Sequence, residues 1–172
     1  QFLEPAEALA ASIAGSIERG EIDPEDQPAL VGALGYALAA GPQINAAVYV
    51  DPDGWLVSVH RDEAEPSGIG FARADWRNDP AVAAAVERMR RMENPAPRWG
   101  PPLYSEGAGT TLVVFAYPFR LPEGDLGIVV ATTKIADLSA FIASIETPGE
   151  IGTFILFGRD RVLAYQDLVG TG

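Results

Sequence analysis

The sequence predicts an α+β fold, with helices first and antiparallel hairpins after them. Three observations carry that prediction. Apolar residues in the first third recur at helical spacing, as in Leu9, Ile13 and Ile17. The segment Asp51-Pro-Asp-Gly54 separates two β-rich runs, and its Pro and Gly supply the fixed and the positive φ that a tight turn needs. From Gly109 to Tyr165 the chain reads strand, turn, strand, amphipathic helix, strand, turn, strand.

The elements follow in order. Pro5 fits a first helical turn, where its missing N–H costs nothing, and Glu7, Glu18 and Arg19 lie outside the apolar stripe that Gly20 ends. Asp23-Pro24-Glu25-Asp26 sets acids at the positive end of a second helix, about Gln27 to Ala40. Leu30, Leu34 and Leu38 share one face of it, and Gly41-Pro42 stops it. Strands are expected over Ile44 to Val50, Trp55 to Val59 and, more briefly, Gly68 to Arg73, with a polar turn from Asp62 to Ser67. Asp79-Pro80 opens a helix to about Met92, with Val82, Val86 and Met89 inward and Glu87, Arg88, Arg90 and Arg91 solvated. A Pro-rich segment runs from Asn94 to Tyr104. Thr111 to Phe119 and Asp125 to Thr133 form one hairpin. Ile135 to Ile145 is a helix, and Gly152 to Gly158 with Arg161 to Tyr165 forms a second hairpin.

Composition narrows the function classes. At 172 residues, with 48% hydrophobic and 21% charged, the chain can bury a real core and is not disordered. A net charge of −12 repels nucleic acid and anionic lipid, so no nucleic-acid partner is expected. The absence of cysteine removes thiolate zinc sites, disulfides and cysteine nucleophiles. There is no GxSxG, HExxH, P-loop or strand-following GxGxxG, and His60 is the only histidine. Catalysis, a metal and a cofactor are therefore not expected. No run of 18 apolar residues spans a membrane. The ends at Gln1 and Gly172 read as cuts in a longer chain, with membrane segments expected outside them.

Several features then occur in a recognisable order. Two helices lead into a hairpin, and a helical insert carries Asp75-Trp76. Trp99-Gly-Pro-Pro-Leu-Tyr104, a strand ending Tyr117-Pro118 and Gly124-Asp-Leu-Gly-Ile-Val-Val130 follow. A helix with Asp137-Leu-Ser139 precedes the fresh strand Gly152-Thr-Phe-Ile-Leu156 and Arg161-Val-Leu-Ala-Tyr165. This order resembles the double Cache domain, the extracytoplasmic PAS-like sensor of bacterial chemoreceptors, histidine kinases and membrane-bound nucleotide cyclases. The opening Phe2-Leu-Glu-Pro5 and the Val162 to Tyr165 strand look most like the cyclase-linked members.

The resemblance implies a PAS-like Cache fold: a long N-terminal helix packed on a central antiparallel sheet that carries a helical insert. Residues 1–146 would be that helix plus a membrane-distal module, and 147–172 the start of a membrane-proximal one. The implied function is ligand sensing, in the periplasmic or extracellular part of an inner-membrane receptor, with a small molecule as partner. The alternative is a dimerisation or protein-interaction module without ligand. The Leu9/Ile13/Ile17 stripe either packs on its own sheet or pairs with a twin helix in a homodimer.

The implied pocket lies on the concave face of the sheet, covered by the insert. Its expected residues are Tyr49, Arg73, Asp75, Trp76, Trp99, Tyr104 and Tyr117, aromatics with polar tips beside a guanidinium that can grip a carboxylate. Each has a plainer role open to it: core for Trp76, Trp99, Tyr104 and Tyr117, a salt bridge for Arg73, and an exposed position for His60. One departure matters. Relatives that bind free amino acids carry an acid for the ligand's ammonium just after the glycine-valine strand, and that position falls here on Thr132 or Thr133. The next acid, Asp137, sits in the first turn of a helix, where backbone N–H groups occupy it. A neutral ligand, a carboxylate, or no small ligand all remain open.

Overall fold

The computed structural model describes residues 2–106 and 108–145, together with the backbone of Phe154–Phe157 and Arg161–Tyr165. Helix α1 (Glu4–Glu18) ends where Gly20 turns at φ +71°, and α2 (Gln27–Ala40) begins where the Asp26 carboxylate accepts from the Ala29 N–H at 3.2 Å. Strands β1 (Ala46–Val50), β2 (Trp55–Arg61) and β3 (Ile69–Asp75) form an antiparallel meander. A 3-10 turn (Trp76–Asn78) and helix α3 (Pro80–Arg90) make up the insert. Short strands β4 (Arg98–Trp99) and β5 (Leu103–Ser105) both pair with β6 (Thr110–Arg120), which pairs in turn with β7 (Leu126–Lys134). Helix α4 (Ile135–Ile145) follows. The order across the seven-stranded sheet is β3-β2-β1-β7-β6-β4, all antiparallel.

Two tight turns fix the register. The Asp51 carboxylate accepts from the N–H groups of Asp53 (2.8 Å) and Trp55 (2.9 Å), while Gly54 takes φ +116°. Gly124 closes the β6–β7 hairpin at φ +98°. With register fixed, side-chain alternation gives each strand one set of residues per face.

One face is covered by α1 and α2. Leu9, Ile13 and Ile17 of α1, and Leu30, Leu34 and Leu38 of α2, interlock there with Ala47, Tyr49, Val57, Val59, Phe115, Phe119 and Val129. Each fully buried Leu or Ile contributes about 1.5–3 kcal/mol. The α1 stripe is thus satisfied by its own sheet, and twin helices could pair only through another face. Arg61 ties α2 to β2 by donating to the carbonyls of Leu38 (2.8 Å), Gly41 (3.0 Å) and Ile44 (2.8 Å). The opposite face is covered in part by the insert, where Trp76 and Val86 pack on Val50, Ala116, Leu126 and Ile128. A third cluster sets Leu138 and Ile142 of α4 against Val113.

The helices lie where periodicity placed them, except that α3 stops at Arg90. The Pro-rich segment is not irregular throughout, since β4 and β5 form in it by borrowing hydrogen bonds from β6. Strands β8 (Phe154–Phe157) and β9 (Arg161–Tyr165) form a separate two-stranded sheet. The rest of the expected second module, 147–172, lies outside the described residues. Among the described residues no helix is long and apolar enough to cross a membrane.

Candidate functional site

Register separates the expected site residues. On the helix-covered face one transverse row reads Arg73, Val57, Tyr49, Val129, Tyr117. The adjacent row ends at Phe115 and Trp99. Trp99 donates from its indole N–H to the Glu7 carboxylate at 2.7 Å and lies 5.1 Å from the Phe115 ring, joining α1 to the sheet. Tyr104, opposite Thr111, is 62% exposed. Asp75 accepts from the Arg77 guanidinium and backbone, hydrogen bonds that hold its carboxyl below the ordinary range, and so it is turned to the insert's own first turn.

Trp76 alone among them is packed on the insert-covered face. It is 4% exposed, donates its indole N–H to the Asp51 carbonyl at 3.1 Å, and lies under the Arg90 guanidinium. The seven residues therefore do not converge on one cavity. Instead Tyr49 and Arg73 meet in a cleft of about 270 Å³ on the helix face, with Gln27, Trp55 and the acids Glu25, Asp51, Asp53 and Glu123.

The insert-covered face has a different character. Its middle row reads Ala72, Ser58, Val48, Val130, Ala116, Arg98 across the sheet, and the next reads Gly70, His60, Ala46, Thr132, Val114. Val48, Ser58, His60, Val130, Val114 and Arg98 are only half-buried, so the insert leaves a strip of this face partly open. No strand residue that register places on this face is acidic, in a chain of net charge −12. In these two rows the basic and hydroxyl groups are Arg98, His60, Ser58 and Thr132.

Two of these carry an unpartnered atom. Among the described residues Thr132 Oγ1 and Arg98 Nε are buried without a hydrogen bond, while Arg98 Nη2 donates to the Met92 sulfur, a weak acceptor. Such groups are costly in a dry core and economical where something polar fills the space. Register also decides between the two threonines: Thr132 faces the insert, whereas Thr133 faces the α4 side with Val113 and is likewise unpartnered. His60 rests on Gly70, where a Cβ would come within 2.5 Å of its Nε2. Sequence reasoning passed over Arg98 and Ser58. A pleat-parity count back from Thr132 would have found Ser58, but nothing local reveals that Arg98 is in a strand.

No protein-family model matches the sequence, and comparison with curated proteins finds no relative. Solved structures do match. The ligand-binding domain of the Campylobacter jejuni chemoreceptor Tlp3, in complex with L-valine, superposes with a TM-score of 0.66 at 14% identity, covering 97% of this chain and 64% of that one. The extracellular domain of mmHK1S-Z3, assigned as a histidine kinase, gives a TM-score of 0.70 at 14% identity, covering 99% and 67%. The Pseudomonas aeruginosa amino acid chemoreceptor PctC, in complex with GABA, gives 0.62 at 18%, covering 96% and 68%. The chain has the Cache-type fold of these domains. It spans about 62–64% of the Tlp3 sensory domains it matches.

Proposed function

We propose that this chain is an extracytoplasmic ligand-sensing domain of a transmembrane signalling receptor. Its ligand is a small carboxylate-bearing molecule, held between the insert and the sheet. The observation that carries this reading is the half-covered, acid-free strip with Arg98 Nε and Thr132 Oγ1 unpartnered on it. Arg98 supplies a fork that matches a carboxylate, and Thr132 and Ser58 supply hydroxyls. The fold supports the same reading, since the Tlp3 and PctC domains are ligand-binding domains of chemoreceptors. L-valine and GABA carry both a carboxylate and an amine. Here the position expected to recognise an amine falls on Thr132 or Thr133, and neither carries a charge, which favours a ligand recognised by its carboxylate.

Signal would pass by population shift. A ligand that prefers one seating of the insert biases α1 and whatever follows α4 toward the state that goes with it. In this reading the receptor is anchored in a membrane by segments outside 1–172, residues 147–172 begin a membrane-proximal module, and a cyclase is the output domain suggested by the cyclase-like ends of the sequence. Binding rather than catalysis is the domain's task.

The test is a thermal-shift screen of mono- and dicarboxylates. A ligand at 100 times its Kd stabilises the fold by about 2.7 kcal/mol, and the shift is expected to vanish in Arg98→Ala. If no carboxylate raises the melting temperature, or if the shift survives in Arg98→Ala, the reading falls to that of a ligand-free interaction module.

A further inference from the structure

The chain has no cysteine and two methionines, Met89 and Met92, both at the end of the insert. Without thiols, these two thioethers are the first sulfur atoms that a peroxide meets. Their surroundings differ. Met89 lies on α3 and packs against the insert-side cluster that holds Trp76 and Val86. Met92 sits two residues past the end of α3, half-buried and outside the three apolar clusters. The loop after it, residues 93–97, is mostly exposed. A small oxidant can reach Met92 without opening the core.

The Met92 sulfur accepts from Arg98 Nη2 on strand β4. A thioether is a weak acceptor and leaves most of a guanidinium's hydrogen-bonding capacity unused. Nε shares an edge of the guanidinium with Nη2, and it is buried with no partner among the described residues. Elsewhere in this chain the same edge grips oxygen: Arg19 and Arg77 each direct Nε and Nη2 onto a carboxylate, that of Glu21 and that of Asp75. The Arg98 edge is thus a two-donor fork set against a sulfur that carries no oxygen. One oxygen added to that sulfur puts a strong acceptor beside the fork.

We propose that Met92 is a reversible oxidation site whose sulfoxide oxygen captures the Arg98 fork and clamps the end of the insert to the edge of the sheet. With hydrogen peroxide, a sulfur lone pair bonds to one peroxide oxygen as the O–O bond breaks. The other oxygen leaves as hydroxide, takes the proton of the transferred oxygen and departs as water. Sulfur gives up two electrons and the peroxide gains them. Capture also draws Arg98 away from a bound carboxylate. That consequence rests on the carboxylate reading, whereas the clamp does not.

The experiment uses Met89→Leu, which leaves Met92 as the sole thioether, and no ligand. Hydrogen peroxide is applied until the chain gains the mass of one oxygen, and peptide mapping places it on Met92. The melting temperature should then rise by about 2–4 °C, as a charge-assisted hydrogen bond replaces a contact with sulfur. Methionine sulfoxide reductases for both epimers should return it to its starting value. With Arg98→Ala added, oxidation should give no rise. With Met92→Leu added instead, peroxide should change nothing, which keeps the test valid should Arg98→Ala fail to fold. A melting temperature that falls or stays level on full oxidation of Met92 overturns the proposal, as does a rise that survives in either double variant. A carboxylate screen without hits leaves each of these outcomes untouched.

Discussion

The two faces of one sheet are finished to different standards. On the helix face the Leu30, Leu34 and Leu38 side chains are fully buried and meet Val59, Val129 and Ala131, themselves at 0–1% exposure. On the insert face Val48, Ser58, His60 and Val130 stay half-buried. The strands are the same strands, so the difference cannot come from β-propensity. It comes from what is laid on top: two helices with continuous apolar stripes on one side, one short insert on the other. The first face is sealed by its helices, and the second is left half-covered.

Four measurements would break or sharpen that contrast. The largest effect is expected where the insert is fastened. Trp76→Ala removes a nearly fully buried indole and should cost about 3–5 kcal/mol in denaturant unfolding. A smaller loss would mean that the insert is not part of the cooperative unit. Next, Leu34→Ala on the helix face should cost about 2–5 kcal/mol, whereas Ser58→Ala on the open strip should stay within about 0.5 kcal/mol. Equal costs would end the distinction between the faces.

The third effect has the opposite sign. Thr132→Val removes a buried, unpartnered hydroxyl and should stabilise the unliganded domain by about 1 kcal/mol, or roughly 2–4 °C in Tm. The same substitution should weaken carboxylate binding, the usual exchange of function for stability at a site.

The smallest effect lies at the end of α1. Arg19 holds the Glu21 carboxylate through bonds of 2.7 and 2.9 Å, and this pairing, with help from Ser16, lowers its pKa to about 2. A lowered folded pKa gives stability that is present above the unfolded value, near 4.3, and lost as pH falls through about 2. Both groups are exposed, so Glu21→Gln should differ from the parent only slightly at neutral pH and not at all below about pH 2, as read by thermal melts.

Much of this architecture could be read from the chain. The helical stripes of α1 and α2 and the turn chemistry of Asp51–Gly54 and Gly124 are local signals, and local signals set those elements. The α+β class and the Cache-type order followed from them. The faces were less legible. Strand β1, Ala46–Val50, is apolar at every position, so alternation cannot say which residues meet the helices. Tyr49, Arg73 and Tyr117 were grouped with Trp76 by chemical type, yet register separates them from it by the thickness of the sheet. Arg98 was invisible for a different reason: a two-residue strand between prolines exists only because β6 offers it an edge. Contacts of that kind are tertiary, and no window of sequence contains them.

The Asp51–Gly54 turn belongs to both faces at once. The insert hangs from it, through Trp76 Nε1 on the Asp51 carbonyl, Trp76 N on the Gly54 carbonyl at 2.9 Å, and Arg90 on the Pro52 carbonyl. Its side chains meanwhile wall the Tyr49 cleft. Four residues thus carry both the fastening of the insert and the wall of a cleft on the other face. Whatever displaces this turn from one face is coupled to the other by the same free energy in both directions.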